Sequence, residues 1–133
     1  MTFNVAWEER AEGLIVVQPS GHLDSNTYPI LEDALGQLLG KATRVLVFDM
    51  EDLEYISSAG LRVLFKAAKA MEQNGGSYIL SNLKPQIQKV FDIINALPSM
   101  RIFKDIEEVD AYLDVIQQRE IARAKGEPLP EDP

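Results

Sequence analysis

The chain has no cysteine and a single histidine, His22, among its 133 residues. Disulfides and thiolate chemistry are excluded, and one imidazole cannot build a multi-histidine metal site. No apolar run approaches the ~20 residues that a membrane-spanning helix needs. Basic residues are the scarcer charge: 13 Lys and Arg stand against 21 Asp and Glu, for a net charge of −8. Binding nucleic acid or an anionic membrane surface through cations requires the opposite balance. The opening MTFNVAWEER lacks the form of a secretory leader, so the expected location is the cytoplasm. What is present is a globular mix, 46% hydrophobic and 26% charged, at a length that suits one domain with one core.

The stretch from Val45 to Ala70, VLVFDMEDLEYISSAGLRVLFKAAKA, organises the chain. Val45-Leu46-Val47-Phe48 is a short β-branched and aromatic run, the pattern of a buried central strand, and Asp49 ends it. A loop is expected next. Ser57-Ser58-Ala59-Gly60 then leads into a helix whose apolar face is read as Leu61, Leu64, Phe65, Ala68 and Met71. Two serines thus fall at a helix start, where unpaired N–H groups and the positive dipole end suit a hydroxyl or an anion.

Upstream, Phe3, Val5 and Trp7 alternate as in a half-buried strand. Glu8–Gly13 reads as a hairpin turn, and Leu14–Val17 as a second strand stopped by Pro19. Gly21 permits a bulge. Asp24–Thr27 are cap-competent residues before a helix with Pro29 in its first turn and Ile30, Leu31, Ala34, Leu35, Leu38 and Leu39 on one face. Downstream, Asn74-Gly75-Gly76 marks a turn, Tyr78–Leu80 a strand, and Pro85 the start of a third helix ended by Pro98. Ile102-Phe103 reads as a brief edge strand, and Asp105 with Glu108 has the spacing of a capping box. Val109, Tyr112, Leu113 and Ile116 are read as the apolar face of the last helix. Beyond Gln117 a polar helical extension is expected, ending in a proline-rich acidic tail that cannot pack. The predicted order is β-β-α-β-α-β-α-β-α. That is an α/β fold: one domain over residues 1–116 and a polar segment over 117–133. Its sheet is mixed, mostly parallel and four- or five-stranded, with an N-terminal hairpin, Val45–Asp49 at its centre and four main helices.

Three segments carry a family resemblance: GHLDSNTYPILEDAL, VLVFDMEDLEYISSAGLRVL, and LSNLKPQIQKVFDIINALPSMRIFKDIEEVDAYL. Together they resemble the STAS domain, named for sulfate transporters and anti-sigma factor antagonists, in its free-standing bacterial antagonist form. The resemblance covers roughly residues 3–116 and implies a regulatory protein, not an enzyme, with no cofactor and no metal. It implies two partners: an anti-sigma factor that is also a serine kinase, and a metal-dependent serine phosphatase. The unmodified antagonist binds the first and frees the sigma factor, and phosphorylation of a serine at the start of the second helix breaks that complex. The family's best-known pattern is aspartate-serine-serine-glycine. Here Ser57, Ser58, Ala59 and Gly60 occupy those places, so the usual acceptor position is Ala59. Ser58 is the preferred acceptor and Ser57 the second. Asp24, Asp49, Ser57, Ser58, Gly60 and Arg62 are the expected partner-binding residues.

Each of these residues has a plainer reading. Either serine serves as a helix cap, worth ~1 kcal/mol. Asp24 and Asp49 suit turns and backbone N–H groups. Arg62, Lys66 and Lys69 read as a solvated helix face, and Phe65 as core. Two other functions compete. A module sensing a nucleotide or other anion would hold it at the second helix start, but Asp24 and Asp49 make that region acidic. A serine hydrolase would need His22 and an aspartate beside Ser57 or Ser58, and the sequence lacks a GxSxG elbow.

Overall fold

The computed structural model describes residues 3–40, 42–96 and 106–127. The element order is β1 (Phe3–Ala11), β2 (Leu14–Leu23), α1 (Tyr28–Leu38), β3 (Val45–Asp49), β4 (Leu53–Ile56), α2 (Ser58–Gln73), β5 (Ser77–Ser81), α3 (Pro85–Ala96) and α4 (Ile106–Lys125). Five strands form one mixed sheet in the order β1-β2-β3-β5, with β4 also paired to β2. The β1–β2 hairpin is antiparallel and every other pairing is parallel. The expected α/β class, opening hairpin, central Val45–Asp49 strand and four helices are all present. The expected strand at Ile102-Phe103, the Asp105 cap, Pro98 and the terminal tail lie outside the described residues.

The ten-residue β2 is long enough to pair with two short strands end to end. Its first half, Leu14–Val17, pairs with β3, and its far end, Gly21–Leu23, pairs with β4. The pairing slips between Gly21 and His22, where Gly21 has a φ of 95°. Leu53–Ile56, expected as loop, is therefore a strand. Pro19 does not stop β2, because its missing N–H falls between the partnership with β3 and the one with β4. The hairpin turn is also shorter than expected: β1 runs on to Ala11 and only Glu12-Gly13 turn, with Gly13 at a φ of 79°.

Alternation along β2 and β3 puts Ile15, Val17, Leu46 and Phe48 on the buried face. There they join Leu31, Leu35 and Leu38 of α1 and Leu64, Ala67 and Met71 of α2 in one core. The buried stripe of α2 runs through Gly60, Leu64, Ala67 and Met71, so Phe65 lies beyond its edge and is 46% exposed. Phe65 is not core; it meets the rim of Phe91 edge-on at 6.3 Å. Ile30 likewise faces outward from α1. Helices α3 and α4 pack on each other and close the β4 side of the sheet.

Candidate functional site

The end of β4 runs directly into α2, and the two serines stand at that junction. Ser57 is the N-cap: its backbone is extended and its Oγ accepts a hydrogen bond from Gly60 N at 3.4 Å. Its own N–H donates to Leu23 O at 2.9 Å, which ties the α2 start to the end of β2. Ser57 is buried. Ser58 is the first helical residue, and its Oγ is buried with no hydrogen-bond partner among the described residues. A buried hydroxyl left unpaired costs free energy.

A helix from far along the chain completes the site. Asp110, Asp114 and Gln117 of α4 fall at steps of four and three, hence on one face. Asp110 Oδ1 accepts from Ser58 N at 2.8 Å, so a carboxylate sits on the positive end of α2. Asp114 Oδ1 accepts from Tyr55 Oη at 2.9 Å. The fully buried Gln117 amide accepts from Ile56 N at 2.8 Å and donates to Ile56 O at 2.7 Å. It pairs with the open edge of β4 much as a neighbouring strand would. From α3, Gln86 Nε2 donates to Glu54 O on the same strand. His22 stacks on Tyr55 with ring centroids 5.2 Å apart. Burial, then the bond to Asp114, then the charges of Asp114, Asp110 and Asp24 push the Tyr55 phenol well above its usual pKa.

Of the residues expected to act together, Asp24, Ser57 and Ser58 are brought near one another. Asp24 follows the Leu23 carbonyl that holds Ser57, and its Oδ1 accepts from Asn26 N, Thr27 N and Thr27 Oγ1, closing the loop before α1. Asp49 is elsewhere. It accepts from Gln18 Nε2 and Asn82 Nδ2, and those bonds, the one to Asn82 first, hold its carboxyl below the usual range. Gln18 and Leu23 lie five positions apart on β2, roughly 16 Å at the usual strand rise, so Asp49 does not stand beside the serines. Gly60 is also not a contact residue. It is buried, and a Cβ there would lie 2.7 Å from Leu23 Cγ, so its role is close packing of α2 on the sheet. Arg62 is exposed and borders a hollow of about 130 Å³ with Tyr28, Glu32, Ala59, Val63 and Lys66. Sequence reasoning missed Tyr55, Asp110, Asp114 and Gln117. The polar stripe at 110, 114 and 117 beside the apolar face of α4 was the available signal.

Comparison with known proteins agrees with this fold. The family model described as STAS domain matches residues 8–109. BtrV of Bordetella bronchiseptica, provisionally named an anti-sigma factor antagonist, is 36% identical over 85 residues, covering 64% of this chain and 73% of BtrV. An anti-sigma F factor antagonist of Paenibacillus polymyxa is 23% identical over 108 residues, covering 80% of this chain and 91% of that protein. Among solved structures, the Bacillus protein SpoIIAA in its phosphorylated form superposes with a TM-score of 0.59 at 21% identity, over 68% of this chain and 83% of that one. Unphosphorylated SpoIIAA gives 0.63 at 18% identity, over 92% and 97%. With most of its length matched by the family model and its fold shared with SpoIIAA, the chain belongs to the STAS domain family.

Proposed function

We propose that the chain is a non-catalytic partner switch of the anti-sigma factor antagonist kind, with Ser58 as its phosphoacceptor. The partner is a serine kinase that also acts as an anti-sigma factor, and a metal-dependent phosphatase reverses the modification. The observation that favours Ser58 is the contrast between the two hydroxyls. Ser57 Oγ is engaged in capping α2, whereas Ser58 Oγ has no partner among the described residues. The names of the relatives support an anti-sigma target, and SpoIIAA exists in phosphorylated and unphosphorylated forms. In the transfer, Ser58 Oγ bonds to the γ-phosphorus of ATP, the bond to the bridging oxygen breaks, ADP leaves, and the hydroxyl proton passes to a base on the kinase.

Added phosphate brings a charge of about −1.5 to −2 into a region already holding Asp24 and Asp110. A partner surface built to meet this junction without a phosphate then meets excess negative charge. The ground beside the site, with exposed Arg62 and Lys66 and half-buried Tyr28 and Ala59, is the surface on which that partner would rest. A hydrolase is disfavoured: among the described residues, His22 makes no hydrogen bond to either serine and is stacked on Tyr55. A free anion at the α2 start is disfavoured because Asp110 already occupies it.

The test uses the anti-sigma kinase recovered with the chain from its host, mixed with ATP and each variant. Ser58→Ala is expected to bind and resist phosphorylation, while Ser58→Asp binds about 100-fold more weakly. Phosphorylation of Ser58→Ala at the wild-type rate moves the acceptor to Ser57. Unchanged phosphorylation of the double Ser57→Ala, Ser58→Ala variant overturns the proposal.

A further inference from the structure

The proposed acceptor is closed off by its own chain. Ser58 Oγ has less than 1 Å² of accessible surface. In-line phosphoryl transfer needs the attacking oxygen exposed to the donor phosphorus, so this hydroxyl cannot react in the closed fold. The element bonded across this junction is helix α4. Helix α4 holds Ser58 N through Asp110, Tyr55 through Asp114 and Ile56 through Gln117, three contacts along the strand-to-helix junction.

We infer that α4 is a latch over the switch, and that its docked state and phosphorylation of Ser58 exclude each other. This rests on the reading of Ser58 as acceptor. The exclusion follows from occupancy and charge. A phosphate on Ser58 is stabilised by the α2 N–H groups, and the nearest of these is Ser58 N, which the Asp110 carboxylate already holds. Two anions cannot share that donor, and Asp114 and Asp24 add like charge around Tyr55 beside it. Unlatching therefore precedes modification, and the phosphate then keeps Asp110 from returning. The released face of α4, with the Ile56 backbone and the Tyr55 phenol, differs between the two states, so a partner can read the switch there as well as at Ser58 itself.

The absence of cysteine makes the latch directly measurable without any kinase. Ser58→Cys supplies one thiol at the covered position, and Ser25→Cys supplies one in an exposed loop. The Ser58→Cys thiol is expected to react with a disulfide reagent ~100-fold more slowly than the Ser25→Cys thiol, as a group that reacts only through local opening. Adding Gln117→Ala is expected to speed Ser58→Cys labelling about 10-fold or more while leaving Ser25→Cys unchanged. Labelling of Ser58→Cys within a few-fold of Ser25→Cys, with circular dichroism unchanged, overturns the closure. Amide exchange gives a second readout that needs no thiol. In Ser58→Asp, the amides from Asp110 to Gln117 are expected to exchange about 10-fold faster than in wild type, with β1–β3 unaltered. Unchanged exchange in α4 refutes the mutual exclusion. A protected thiol together with an unmodifiable Ser58 leaves the latch in place and removes the phosphorylation reading, so the two claims fail separately.

Discussion

Replacing Gln117 by alanine tests how α4 is held. The residue is fully buried, and its amide is bonded to the N–H and the C=O of Ile56 and to the Leu113 carbonyl. Ile56 is itself fully buried, so water does not readily replace the lost amide. Each orphaned backbone group costs about 1–3 kcal/mol. The vacated side-chain volume adds to the loss, while the better helix propensity of alanine returns a few tenths of a kcal/mol. The net expectation is a loss of ~3 kcal/mol, a large part of the 5–15 kcal/mol typical of a whole domain. With an m-value of about 1.5 kcal/mol/M, the urea midpoint falls by ~2 M. Gln117→Met fills similar volume without the hydrogen bonds, so most of the loss should persist if pairing with β4 is the cause. The exposed neighbour Gln118→Ala should change stability by less than ~0.5 kcal/mol. Equilibrium urea unfolding followed by circular dichroism reads all three. A loss below ~1 kcal/mol for Gln117→Ala refutes the argument that this amide completes the sheet edge.

Two further outcomes follow from the same junction. Gly60→Ala would force a Cβ to 2.7 Å from Leu23 Cγ and 3.0 Å from Ile56 Cγ1, so despite better helix propensity it should destabilise by about 1–2 kcal/mol in thermal melts. A stabilised Gly60→Ala would contradict the close approach. Tyr55→Phe should cost about 1 kcal/mol at neutral pH by removing the donor to Asp114. It also carries a pH signature: the folded phenol pKa is raised, so its contribution is intact below the unfolded value of ~10 and is lost as pH rises beyond it. Wild type should therefore lose stability more steeply than Tyr55→Phe between about pH 10 and 11, and parallel urea midpoints over that range would refute it.

Most of this architecture was legible in local pattern. Alternation marked the hairpin, the β-branched run at Val45 marked the central strand, and Pro29 and Pro85 marked two helix starts. The Ser57-Ser58 pair fell at the α2 start because an apolar helical stripe began right after it. What escaped was set by distant partners. Leu53–Ile56 is only four residues long and becomes a strand because the far end of β2 is free to pair with it. Pro19 was misread because its tolerance depends on which strand lies alongside. Phe65 has helical spacing with Leu61 and Leu64, but the stripe actually buried passes through Gly60, whose missing side chain gave no apolar signal. Asp49 was placed with the serines because both follow the central strand in sequence; the intervening β4 carries them apart. The α4 contacts join residues more than fifty positions apart, and no local rule connects Asp110 to Ser58 or Gln117 to Ile56.

The central claim, that this STAS domain is switched at Ser58, is tested most directly by phosphopeptide mapping of the chain recovered from its host. The protein is split into a pool bound to the proposed anti-sigma kinase and a free pool. The account predicts phosphate on Ser58 in the free pool, none in the bound pool, and return to binding after treatment with a serine phosphatase. Unmodified Ser57 and Ser58 in both pools, with binding unaffected by ATP, would contradict it.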